Sequence, residues 1–418
     1  MRLLKMILAI VFLMTVPLLA FDFDIDDAGD LVEALSKLKV EGKGYFYYKY
    51  DVSDNNSQSN SFDFGRMYFG ANYRLSNQFS IRYLTDFSQQ GNTSKFKVFP
   101  KYAYVDWKIK DGLSLIMGLQ GTNNWKEPEN AWGYRSIYYA PLEAFGKFWE
   151  VTAMTYASHL SYLYQGNQSE DYERQKNRYR NFNEASKSGM GSSADMGVTA
   201  KYNFCDDYYA NLSVINGSGY KERENDIYKN VQLRVGSHQI NKRLHLSGYV
   251  ELEPWSGSSL TGDRQQYMNV QWDMMASFKR NGIFSVGVDL NGKKFDGIET
   301  INAFCYSIFG NFHIFQEQLL FFARYDNYST GIDHAEFFDY DQVWWTNGGL
   351  LILGLDYKPH KNISIIPNLQ MKSYDNPQCH SMEEFLDDMK RIKYVKRLFH
   401  KYHTKDILKE RLIINHLV

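Results

Sequence analysis

Proline is scarce, at 8 of 418 residues. Proline cannot donate to a strand ladder, so its scarcity leaves the backbone free for sheet and excludes proline-rich linkers. Cysteine is nearly absent. Cys205, Cys305 and Cys379 are odd in number and far apart, which excludes a disulfide framework and a cysteine metal site. An excess of either charge is missing as well: 47 basic against 48 acidic residues give a net charge of -1. No global field therefore recruits nucleic acid. After residue 21 no apolar run approaches the ~20 residues of a membrane-spanning helix. The 10 histidines are scattered, and neither H-E-x-x-H, G-x-S-x-G nor a P-loop occurs. The residues thus suggest no enzyme, no cofactor and no metal.

Aromatic residues are abundant, with 32 Tyr and 28 Phe. Such rings suit strands and the boundary between hydrocarbon and water. Residues 1–20 read as a secretory signal: Arg2 and Lys5 are the charged start, Met6 to Leu19 the apolar stretch, and Ala20 the small residue at the cleavage site. Residues 21–42, acidic at first and with Leu31, Leu35 and Leu38 near helical spacing, are expected to form a periplasmic lead-in or plug helix.

Residues 43–375 then alternate apolar and polar side chains. Met67, Phe69, Ala71, Tyr73 and Leu75 point one way, and Arg66, Tyr68, Gly70, Asn72 and Arg74 the other. About fifteen such segments, joined alternately by tight turns and long polar loops, predict an all-β fold. Its architecture would be a transmembrane antiparallel β-barrel of about 16 strands with an apolar outside and a wet lumen. A soluble sandwich would alternate too, but charges in mid-strand suit a lumen better. Residues 122–192 break the rhythm, and an insert that long is expected to be an external loop or a constriction inside the barrel. The segment from Trp149 to Tyr164 reads equally as strand or helix. Cys305 falls within a strand and is expected to be a small packing residue.

From residue 376 the pattern is lost. Glu383, Glu384, Asp387 and Asp388 precede Lys390, Arg391, Lys393, Lys396 and Arg397, with Phe385, Met389, Ile392, Val395 and Phe399 near helical spacing. The tail over 376–418 is thus expected to be charged and non-β, helical or disordered, and solvated or bound to an anionic surface. A membrane barrel needs a closing strand, so one strand is expected to be missing.

Three motifs sit on this background. Trp132-Gly133-Tyr134-Arg135-Ser136-Ile137 comes first, then Ser192-Ser193-Ala194-Asp195-Met196-Gly197-Val198, then Val214-Ile215-Asn216-Gly217-Ser218-Gly219-Tyr220. In order and placement they resemble the phosphate-selective porin O and P family, over roughly residues 40–375. That resemblance implies a bacterial outer-membrane barrel of sixteen strands, assembled as a homotrimer and passing small anions. Its partners would be outer-membrane lipid and small hydrophilic solutes or ions.

The candidate pore-lining residues are Arg66, Arg74, Arg82, Lys101, Arg135, Arg234, Asp273, Asp289 and Arg324. Asp86, Glu251 and Asp326 also face inward, so the lumen is mixed in sign and phosphate specificity does not carry over. Arg135 either attracts anions at the constriction or pins the loop to the wall. The glycines of Asn216 to Gly219 read as a strand-end turn. Asp333, Glu336, Asp339 and Asp341 could hold calcium at a loop tip, or form a solvated acidic loop. The expected function is passive diffusion through the barrel. The alternative is a structural or adhesive barrel with a plugged lumen and partner-binding external loops.

Overall fold

The alternating segments fold into strands that pair antiparallel and close into a barrel in the computed structural model. It describes residues 28–50, 60–89, 96–150, 176–177, 180–184, 189–224, 226–259, 261–298, 300–315, 318–331, 347–374 and 414–417. The expected signal segment, the acidic loop tip around Asp339 and nearly all of the tail lie outside the described residues.

The strands are β1 (Leu38–Tyr50), β2 (Asn60–Arg74), β3 (Phe79–Gln89), β4 (Phe96–Lys110), β5 (Leu113–Gly121), β6 (Ala194–Phe204), β7 (Tyr208–Ile215), β8 (Asn230–Gln239), β9 (Leu244–Ser258), β10 (Arg264–Arg280), β11 (Phe284–Phe295), β12 (Ile301–Phe315), β13 (Leu319–Ser329), β14 (Asn347–His360), β15 (Ile363–Tyr374) and β16 (Ile414–Leu417). Each pairs with its neighbours in sequence, and β16 sits between β15 and β1. A helix, α1 (Ala28–Lys37), precedes the sheet. Because β1 begins at Leu38, the last residues of the expected lead-in are already strand.

All fifteen expected strands are present. The expectation of a chain ending without a strand is corrected at Ile414–Leu417. There Leu417 pairs with Phe46 of β1, and Ile414 and Asn415 pair with Pro367 and Ile366 of β15. A closed ladder leaves no sheet edge for lipid, and this requirement is what the extra strand meets.

Period two decides which side chains meet lipid. Met196, Val198, Leu212, Val214, Val231, Leu233 and Val235 point outward and are exposed. Thr199, Ser213, Gln232 and Arg234 on the same strands point inward and are buried. Aromatic pairs flank the short turns on the outer face: Phe79 with Trp107, Phe204 with Tyr208, and Phe278 with Phe284. They form the interfacial girdle such a barrel needs.

The alternation slips at β4. Leu84 pairs with Tyr102 but Thr85 with Pro100, so Lys101 is the extra residue of a bulge. Proline tolerates this place because a bulge already lacks a ladder bond. The bulge re-aims Lys101 inward, its ammonium 4.9 Å from the Tyr68 ring centroid and 5.8 Å from that of Tyr102.

Candidate functional site

The chain leaves the wall at Gly121 and enters the barrel. Its first residues are tied down at once. Asn123 donates from its backbone to Gln232 at 3.1 Å and from its side chain to Ser213 at 2.7 Å. Arg234 donates to the carbonyls of Asn123 and Asn124. A short helix, α2 (Lys126–Trp132), follows and stops at Gly133, whose φ of 77° closes the last turn. On the way out, Lys293 donates to the Gly189 carbonyl at 2.8 Å, and Gln271 to that of Met190. The described ends of the insert are therefore held to the inner wall by polar groups of β7 to β11.

Residues 141–150 are helical. Pro141 begins the helix, where its missing N–H costs nothing. Leu142, Phe145 and Trp149 recur at helical spacing and are buried, whereas Glu143, Lys147 and Glu150 lie on the opposite face. The apolar face docks on the inner wall of β11 to β15. Trp149 stacks on Phe295 at 4.1 Å, Tyr134 on Phe322 at 4.2 Å, and Phe145 on Tyr328 at 5.8 Å. Leu350, Ile352, Ile366 and Cys305 complete this cluster, which gives Cys305 the packing role expected of it. The undecided stretch beginning at Trp149 is helical at its first two residues; residues 151–175 lie outside the described part.

The polar face of the same helix borders a cavity of 1540 Å³. Its charged lining is Arg66, Lys147, Lys221 and Arg264 against Glu143, Glu150, Glu184, Glu222, Asp226 and Glu253. Carboxylates outnumber cations. Tyr139 and Tyr220 join them, Tyr220 donating to Asp86 at 2.8 Å. Burial pushes the pKa of the Lys221 ammonium down, and Arg66 pushes it the same way. Of these lining groups, only Arg66 was among the sequence candidates. The helical spacing of Glu143, Lys147 and Glu150 was the available signal for the others on the insert.

The sequence candidates end in different places. Arg66 lines the cavity, 3.8 Å from Asp86 and hydrogen-bonded to Tyr68. Arg135 binds Glu143 at 2.8 Å, approaches Glu129 at 3.8 Å and stacks on Tyr139 at 4.8 Å. Both carboxylates belong to the insert, so Arg135 braces the loop against itself. Burial works against its charge, but Glu143, Tyr68 and Glu129 together more than restore it, and the guanidinium pKa ends above its ordinary value. Arg82 holds Glu41 at 2.7 Å, and Arg74 is exposed at the end of β2.

Arg234, Asp273, Asp289 and Arg324 face inward but are sealed beneath the insert, each at 1% exposure or less. Arg234 pairs with Asp273 at 2.9 Å and Arg324 with Asp326 at 2.6 Å. Asp289 lies on β11 between the two pairs and, among the described residues, has no ion-pair partner. Alternation in the sequence assigns these side chains to the lumen face. It carried no information on what would cover them.

Residues 362–418 match the model of a family of unknown function (DUF7207). Comparison with curated proteins finds no match. Solved structures do match. The outer membrane channel DcaP of Acinetobacter baumannii superposes with a TM-score of 0.52 at 11% identity, over 82% of this chain and 95% of that one. OprB of Pseudomonas putida gives 0.53 at 10%, over 82% and 91%. An anion-selective porin from Comamonas acidovorans gives 0.51 at 11%, over 81% and 90%. At such identities the likeness establishes the fold: this chain has the β-barrel of the outer-membrane porins.

Proposed function

We propose that the chain is an outer-membrane porin that lets small hydrophilic solutes or ions diffuse passively through its barrel. The observation that carries this reading is the division of the interior. One half is filled by the docked insert, while the other keeps a cavity of 1540 Å³ lined by charged groups of both signs. Solutes would be selected by width and by these side chains. The mixed lining speaks for weak ion selectivity and against a phosphate filter. Kinship with the phosphate-selective porins and a homotrimeric assembly are part of the same proposal, supported by the three motifs. So are export by cleavage of residues 1–20 and the pore-lining role of Arg66 and Lys101.

The test is recording from the purified, folded chain in planar bilayers. Stepwise conductance with a reversal potential near zero in a potassium chloride gradient is expected. A folded chain that never conducts would overturn the proposal in favour of a plugged, adhesive barrel. Arg135→Ala removes the cation facing Glu143 and leaves a free carboxylate at the cavity. A unit charge at 4 Å in water is worth about 1 kcal/mol, or roughly a fivefold change in local ion occupancy. The reversal potential should therefore move toward cation preference. Movement toward anions, or none, would mean that Glu143 does not face the permeating ions.

A further inference from the structure

The hairpin of β8 and β9 turns through Ile240, Asn241 and Lys242, all with φ between 55° and 61°. His238 and His245 stand symmetrically about this turn and lie directly opposite each other in the ladder. Their rings are 4.3 Å apart with planes 21° from parallel. Both share the inward face of Arg234 and Ser247, and both are half-buried rather than sealed. Opposed strand residues have Cβ atoms only ~5 Å apart, so the rings cannot drift away from each other.

A third residue fixes one ring. The Tyr209 hydroxyl lies 2.9 Å from His245 Nε2. Gly236 makes this contact feasible, because a Cβ there would come within 2.5 Å of the Tyr209 ring and hydroxyl. When His245 Nε2–H donates to the Tyr209 oxygen, the proton is held on that nitrogen. The Nδ1 lone pair is then free. Such a partner sets the tautomer of a ligating imidazole and raises its basicity. Glu127 of α2 lies within electrostatic reach of both His245 and Tyr209 and adds negative charge to the neighbourhood. Arg234, a guanidinium on this face, is already paired with Asp273.

We infer that His238 and His245 form a binding site for a divalent transition-metal ion on the lumen wall near the short-turn end of the barrel, with Tyr209 as the positioning residue. Metal–imidazole bonds of about 2.0–2.1 Å bring two ligand nitrogens to roughly 3 Å from each other. A small side-chain rotation from the present stack reaches that separation. Among the described residues, no cluster of three or more His, Cys, Asp or Glu supplies further ligands. Water would fill the remaining positions, and an open two-nitrogen site favours Cu²⁺ over Ni²⁺ and Zn²⁺. The sequence hid this site because six residues separate the two histidines; only the position of the turn makes them partners.

Calorimetric titration of the full chain in detergent, carrying no histidine tag, with CuCl2, NiCl2 and ZnCl2 tests the inference. The result stands whether or not the chain conducts. One ion per chain is expected, with Cu²⁺ bound most tightly. His238→Ala and His245→Ala should each weaken binding at least tenfold, and Tyr209→Phe about tenfold. His360→Ala, at the exposed end of β14, should change nothing. The electron paramagnetic resonance spectrum of the Cu²⁺ complex should show coupling to two nitrogens in the wild type and one in either single variant. Each variant is compared only after its gel mobility before and after heating matches that of the wild type. Equal affinity in the wild type and the His238→Ala, His245→Ala double variant would overturn the inference. So would a copper spectrum unchanged by either substitution.

Discussion

A chain cut after Ile413 is expected not to form a barrel. The deletion removes β16 and with it every pairing that joins β15 to β1. It leaves two open edges. Each would present unpaired N–H and C=O groups to hydrocarbon, where no water can satisfy them, at a cost of several kcal/mol per group. The paired stretch is short, but closure is a property of the whole sheet, so its loss should be cooperative. The expected readout is a product that no longer changes mobility on heating and is cleared by protease. Ile414→Val and Leu417→Val keep the backbone ladder and should fold normally, which separates strand loss from side-chain loss. A truncated chain that folds like the full one would show that β16 is dispensable.

This reverses what the sequence suggests for the tail, and the reason is physical. Ile414-Asn415-His416-Leu417 offers too few residues for a period of two to emerge from the charges around it. The other strands run for 8 residues or more, and their parity could be read directly. Arg66, Arg234 and Asp273 were thus placed inward from sequence. Whether each meets solvent was not legible, because exposure depends on where the insert lies, and insert docking is a long-range matter. Trp149, Phe145 and Leu142 could have been read as one helical face, but Phe148 beside Trp149 blurs the period toward strand. Lys101 shows the opposite case. It counts among the pore-lining candidates, although strict alternation from Ala103 and Val105 would send it outward, and the bulge after Pro100 is what turns it in.

Arg324→Ala is expected to unlatch the insert while leaving the barrel closed. The Arg324 guanidinium is fully buried. It binds Asp326 through two nitrogens at 2.8 and 2.6 Å, donates to the Tyr139 carbonyl, and lies 5.0 Å from the Trp132 ring. It therefore joins the β13 wall to two points of the insert. Its removal leaves Asp326, among the described residues, with Ser307 and Tyr328 as hydrogen-bond donors, and leaves the Tyr139 carbonyl without this one. Breaking such a buried pair from one side costs about 3–5 kcal/mol. The loss falls on insert docking, since the ladder bonds of β13 to β12 and β14 are untouched. Tyr139 also lines the cavity, so a displaced insert widens the open half of the lumen. The variant should keep its heat-modifiable mobility, gain protease cleavage within 122–192, and conduct in larger steps than the wild type. Arg324→Lys should fall between, because one ammonium cannot reproduce a forked contact. Replacing both partners, Arg324→Met with Asp326→Leu, removes the unpaired charge and should restore docking to near the wild-type level. Unchanged conductance and unchanged cleavage in Arg324→Ala would mean that the aromatic stack of Trp149, Tyr134 and Phe145 holds the insert without this latch.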